Sequence, residues 1–152
     1  MIKKFISIFA LWGAVQVNAQ TNTKLQSVLD QKIKQVEPQL IEWRRHFHQN
    51  PELSNREKQT GAFIADYLKS LGLEVTYPVA KTGVVAVLKT EKPGRVVALR
   101  ADMDGLPLIE NNALPFASKV KTIFNGQPAG VMHACGHDAH MAMLMAVAKI
   151  LS

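Results

Sequence analysis

Nine residues late in the chain, Met132-His133-Ala134-Cys135-Gly136-His137-Asp138-Ala139-His140, restrict the fold more than any other stretch. They hold the only cysteine and three of the five histidines, and an apolar run from Met141 to Leu151 follows directly. Cys135 and His137 are two apart, a spacing that diverges on a helix but shares one face in an extended segment. Gly136 between them lets the backbone bend tightly. A thiolate and an imidazole converging from one bend, backed by a buried helix, make half of a metal site. The alternative is a small buried cysteine among histidines that bind nothing. Polar groups packed so densely, however, each need a partner once removed from water. Met132, Met141, Met143 and Met145 belong to core packing rather than to a copper site.

At the other end, Met1 to Ala19 reads as a secretory signal. Lys3 and Lys4 precede a mostly apolar stretch from Phe5 to Val17, and Val17-Asn18-Ala19 closes it in small-x-small fashion. The stretch is shorter than the ~20 residues needed to span a bilayer. Cleavage after Ala19 is expected, with residues 20–152 exported to the periplasm or beyond and no stable membrane span left. Loss of Lys3 and Lys4 leaves 16 basic against 12 acidic residues and lowers the net charge from +6 to +4. That charge is spread along the chain without arginine-rich runs, which argues against nucleic-acid binding. One cysteine cannot close an internal disulfide in an oxidising compartment, and metal ligation accounts for it.

Thr21 to Gln49 has helical character. Leu25, Val28, Leu29, Ile33 and Val36 recur at helical spacing, and Pro38 is placed at the start of a second helical stretch with Leu40, Ile41, Trp43 and Phe47 as its stripe. His46 and His48 flank Phe47 without an assigned role. Ser54 and Glu57 are expected to open the next helix as a capping box, with Phe63, Ile64, Tyr67, Leu68 and Leu71 buried and Gly72 ending it. Strands are expected at Leu73 to Val79, Gly83 to Leu88 and, after the turn Glu91-Lys92-Pro93-Gly94, Arg95 to Ala101. The order is that of an α/β sandwich with a mixed sheet.

The third strand runs into Arg100-Ala101-Asp102-Met103-Asp104-Gly105-Leu106-Pro107. Ligands of open α/β sheets bind at the carboxyl ends of strands. Asp102 and Asp104 there suit metal binding or the orientation of a ligating histidine, although Asp-x-Asp-Gly also serves as an ordinary turn. Residues 111–130 read as a long loop rimming the site, with a short strand around Val120 to Phe124. The run after His137, apolar nearly all round, reads as a fully buried helix.

Three blocks in order, Trp43 to Ser54, Leu99 to Pro107 and Met132 to His140, resemble the metal-dependent amidohydrolases. This branch of the zinc-exopeptidase (aminoacylase/carboxypeptidase) superfamily includes N-acyl-amino-acid amidohydrolases, hippurate hydrolases and plant auxin-conjugate hydrolases. The likeness runs from about Leu40 to Leu151. It implies a three-layer α/β sandwich, here incomplete, and two divalent ions (zinc, manganese, cobalt or nickel). It implies Cys135 and His137 as metal ligands, Cys135 bridging the two ions, and Asp104 as the catalytic orienting aspartate. Asp102 stands where the wider superfamily has a ligating histidine, so its own role stays open. Asp102, Asp138 and His140 are candidates for supporting the ligands. The implied reaction is hydrolysis of the amide bond in N-acyl amino acids or peptide-like molecules by a metal-activated water, with a glutamate as base. That glutamate, the remaining ligands and a lid and dimerisation domain lie beyond the third block in such enzymes. The chain is therefore expected to be an N-terminal fragment, inactive by itself, of an enzyme whose full-length relatives form homodimers.

Two further readings stand beside this one: a cysteine hydrolase using Cys135, whose nearest histidine is poorly placed as a base, and a non-catalytic metal-binding remnant.

Overall fold

The computed structural model describes residues 23–91 and 93–152. The expected signal segment and Lys92 of the expected turn lie outside the described residues. Three helices and two hairpins make up the fold: α1 (Thr23–Gln49), α2 (Lys58–Ser70), β1 (Glu74–Val79), β2 (Gly83–Val87), β3 (Lys121–Phe124), β4 (Gln127–Gly130) and α3 (His137–Leu151). The α/β class is as the sequence indicates.

α1 is one helix, not two. Pro38 lies inside it and faces solvent, so the carbonyl it leaves without an amide partner can turn to water. The buried stripe is Val36, Trp43 and Phe47, with Leu40 partly covered. The first turns do not reach the core: Leu25, Val28 and Ile33 are about half exposed. α3 packs against the second half of α1 and runs antiparallel to it. Lys32 Nζ donates to the Ile150 carbonyl at one end, and His48 meets Asp138 at the other. α3 is not buried all round. Met141, Ala142, Met145 and Ala146 join Val36, Trp43, Phe47, Ile64 and Leu68 in the core, while Met143 on the opposite face is 49% exposed. The composition of the run concealed an ordinary two-faced helix.

α2 starts three residues later than a Ser54 cap would have it. Asn55 adopts φ +63°, which no helix can include, and Ser54 lies in the turn before it. The helix is capped from outside by Glu52, whose carboxylate accepts from the Gln59 amide at 3.3 Å and the Thr60 amide at 2.8 Å. Glu57 accepts instead from the Thr82 hydroxyl at 2.7 Å. The C-terminus is as expected. Gly72 at φ +83° lets its amide reach the Lys69 carbonyl and the Leu73 amide reach the Leu68 carbonyl, a Schellman pair. Ile64 and Leu68 are buried as expected, Tyr67 and Leu71 are half-buried, and Phe63 is 37% exposed.

β1 and β2 pair antiparallel, Glu74 opposite Val87, and α2 lies on this hairpin. The Tyr77 hydroxyl donates to the Lys58 carbonyl, and Gly61 approaches so closely that a Cβ there would stand 2.6 Å from the Thr82 carbonyl oxygen. β3 and β4 form a second antiparallel hairpin around Asn125 and Gly126, both at positive φ, as a two-residue turn of this hand requires. β3 lies within the strand anticipated around Val120 to Phe124; β4 was read as loop because Pro128 interrupts it.

The expected third strand, Arg95 to Ala101, forms no ladder with the described residues. Val96 is 98% and Val97 78% exposed. A β-branched sequence favours extended backbone, but a strand needs a neighbour to take up its amides and carbonyls, and none among the described residues adjoins it. Past it the chain re-enters the structure. Leu53 and Gly105 form a parallel bridge, and Leu106 and Met132 an antiparallel one. These two bridges draw the three sequence blocks together. Gly105 sits at the junction, where a Cβ would stand 2.9 Å from Pro51 Cβ and 3.0 Å from Val131 Cγ1.

Candidate metal centre

A tight bend at Gly136 leads into α3. Gly136 takes φ +87° immediately before the first helical residue, His137, and a Cβ at Gly136 would meet nothing within 4 Å, so the bend faces open space. The Cys135 thiol on one side of it is exposed. On the other, His137 is 13% exposed, and its Nδ1 lies 3.0 Å from both the backbone carbonyl and the carboxylate Oδ1 of Asp104. A carbonyl oxygen only accepts, so Nδ1 carries the proton and the lone pair of the neutral ring is at Nε2. Asp104 thus orients His137 from behind, the arrangement in which a carboxylate fixes the tautomer of a metal-binding imidazole.

Asp102 is exposed, and Arg100 holds its carboxylate at 2.8 Å. The hydrogen bond and charge of Arg100 keep that carboxyl below its ordinary range, with smaller help from His137 and His140. The His140 ring is exposed, with its centroid 5.7 Å from that of His137. Asp102, Asp104, His137 and His140 therefore lie near one another at the start of α3. Asp138, one residue on from His137, points the other way and is 1% exposed. Among the described residues no group of three or more histidine, cysteine, aspartate or glutamate side chains is arranged to hold a metal. At the bend stand the exposed Cys135 thiol and His137, whose Nδ1 is taken up by Asp104.

Behind the bend lies a buried network that the sequence reading missed. Asp138 Oδ2 is 2.8 Å from both His48 Nδ1 and Arg44 Nε. His48 Nε2 lies 2.8 Å from Glu110 Oε1, and Glu110 Oε2 accepts from the Ser118 amide. Burial alone would raise the Glu110 pKa, but hydrogen bonds from His48, the Ser118 amide and Asn112, with the His48 charge, outweigh it and hold the carboxyl below its usual range. A signal was present. Asp138, Met141, Ala142 and Met145 share helical spacing, which puts Asp138 on the buried face and demands a partner for it. His133 is also buried, with neither ring nitrogen hydrogen-bonded, and desolvation pushes its pKa down.

Residues 98–152 match the model of peptidase family M20/M25/M40. An N-acyl-L-amino acid amidohydrolase of Geobacillus stearothermophilus is 50% identical over 121 residues, covering 79% of this chain and 30% of that protein. An N-acetyl-L-cysteine deacetylase of Bacillus subtilis is 48% identical over 116 residues, covering 76% of this chain and 26% of that protein. Among solved structures, a dinuclear metal-binding M20-family peptidase of Bacillus subtilis superposes with a TM-score of 0.68 at 43% identity, over 78% of this chain and 31% of that one. The chain thus spans about 30% of the length of the curated relatives it matches. Shared sequence and shared fold place the chain in peptidase family M20/M25/M40.

Proposed function

We propose that this chain contributes one wall of the metal centre of an exported hydrolase that cleaves the amide bond of N-acyl amino acids or similar peptide-like molecules. One observation carries the reading: Asp104 fixes His137 through Nδ1, two residues along the chain from the exposed thiol of Cys135. The relatives' activities, an N-acyl-amino-acid amidohydrolase and an N-acetylcysteine deacetylase among them, support the substrate class. Cys135 and His137 would hold divalent ions, two in number as in the dinuclear neighbour. Thiolate and imidazole suit zinc, with manganese, cobalt and nickel also accommodated. Such ions supply Lewis acidity towards the amide carbonyl and acidify water. The chain's own part is to orient: Asp104 sets the His137 tautomer, Arg100 keeps Asp102 ionised at the lip, and Gly136 gives the bend its angle. We also propose that Met1–Ala19 directs export and that the complete enzyme forms a homodimer.

Cobalt(II) titration of the full chain tests the centre. A thiolate-to-cobalt charge-transfer band in the near ultraviolet is expected, lost on chelation and absent from Cys135→Ser; a wild-type chain without that band would sink the proposal. Two protein donors leave an ion mostly water-bound, whereas zinc sites take three or four. The 152-residue polypeptide supplied with manganese or zinc should therefore show no amidase turnover on N-acyl amino acids. Turnover would show that the polypeptide supplies a base and further ligands itself. For export, N-terminal sequencing of the protein recovered outside the cytoplasm should begin at Gln20.

A further inference from the structure

Cys135 and His137 must keep a fixed relation across a glycine that has no packing of its own. The first turn of α3 is held on two sides. Outside, Asp104 holds His137. Inside, Asp138 Oδ2 is shared by His48 Nδ1 and Arg44 Nε, both from α1 and both at 2.8 Å. The other ring nitrogen of His48 is spent on Glu110, which the loop at Ser118 and Asn112 holds in turn. His48, Asp138 and Glu110 are all withdrawn from solvent. An imidazole locked between two buried carboxylates has little freedom to rotate, so it fixes where Asp138, and with it the turn carrying His137, can lie.

Resting on the metal-centre reading above, we propose that His48 is a positioning residue for that centre. Acting through Asp138, it sets the angle of the first turn of α3 and so the separation of Cys135 Sγ and His137 Nε2. It touches neither the metal nor the substrate. Its Nδ1 contact is the one that matters for this role; its Nε2 contact anchors the ring to the loop.

The two contacts can be separated by chemistry. The asparagine amide nitrogen occupies the place of Nδ1 and keeps the bond to Asp138. That of glutamine occupies the place of Nε2 and keeps only the bond to Glu110. Cobalt(II) is titrated onto the full chain for wild type, His48→Asn and His48→Gln, reading the thiolate–cobalt band, with thermal melts in parallel. Removal of a residue that orients a ligand weakens metal binding by about 10–100-fold. For His48→Gln we expect a loss of about tenfold in cobalt affinity and an altered band, and for His48→Asn a value within about threefold of wild type.

Equal affinity and identical bands in all three proteins, even with lowered melting temperatures, would reduce His48 to a packing element and overturn the inference while leaving the metal centre intact. No band in the wild type would overturn the centre itself, and the inference with it. Should His48→Gln not fold, Asp138→Asn reads the same linkage from α3: a tenfold weaker cobalt affinity supports the inference and an unchanged affinity overturns it.

Discussion

Glu110 shows how one buried carboxylate ties stability to pH. Its folded pKa lies below the unfolded one, so its contribution is fully present above the unfolded value and is lost as pH falls through the folded value. The denaturation midpoint should drop as pH falls below the ordinary glutamate value of 4.5, and Glu110→Gln should flatten that slope while lowering the midpoint at neutral pH. At the junction of the three blocks, a methyl on Gly105 would press on Pro51 and Val131. Gly105→Ala should cost about 1–3 kcal/mol in chemical denaturation. Single residues were legible in the sequence where their chemistry was conspicuous. The lone cysteine, His137 and the strand-end Asp104 were singled out, and the structure places Asp104 directly behind His137. His48, Arg44 and Glu110 were not, because nothing local in the sequence shows which distant partner a histidine, an arginine or a glutamate meets. Asp138 was read with the metal ligands next to it in sequence, although its periodicity with Met141 and Met145 pointed inward.

Among the elements, the ends of α2 separate local from non-local causes. Its C-terminus follows from Gly72 alone and was legible. Gly72→Ala meets no atoms but forces a methyl into φ +83°, and should cost about 1 kcal/mol in thermal unfolding. Its N-terminus is capped by Glu52 from a preceding segment and overridden by Asn55, so the local pattern Ser-x-x-Glu misled. The α1–α3 pair carries most of the core, and Met145, 1% exposed, lies at its centre. Met145→Ala should destabilise by about 2–5 kcal/mol, read by urea titration. Pro38 shows the reverse of α2: a residue that halts helices in isolation is carried through by the stripe packed on either side of it.

At the scale of the whole molecule, the order of the three blocks was legible and their meeting was not. Two single bridges and one glycine bring them together, and no periodicity announces such contacts. The strand expected at Arg95 to Ala101 marks the same boundary. Its composition is right for a sheet, yet Val96 and Val97 stand in solvent, so local preference without a neighbour does not make a ladder. An exposed β-branched segment is an association hazard. Val97→Lys should reduce binding of a hydrophobic dye and slow light-scattering growth of the purified chain, without moving the helical circular dichroism.

His137 and Asp138 are consecutive, yet one stands at the open bend and the other turns inward onto His48 and Arg44. The boundary between the two media falls on a single peptide bond. The packed face of α3 fixes both residues, so adding or deleting one residue between His133 and His137 would move Cys135 relative to His137, and this short stretch cannot tolerate the length variation that surface loops absorb. Substitutions there can be chemically mild, but a change of length would part the thiol from the imidazole while leaving the interior intact.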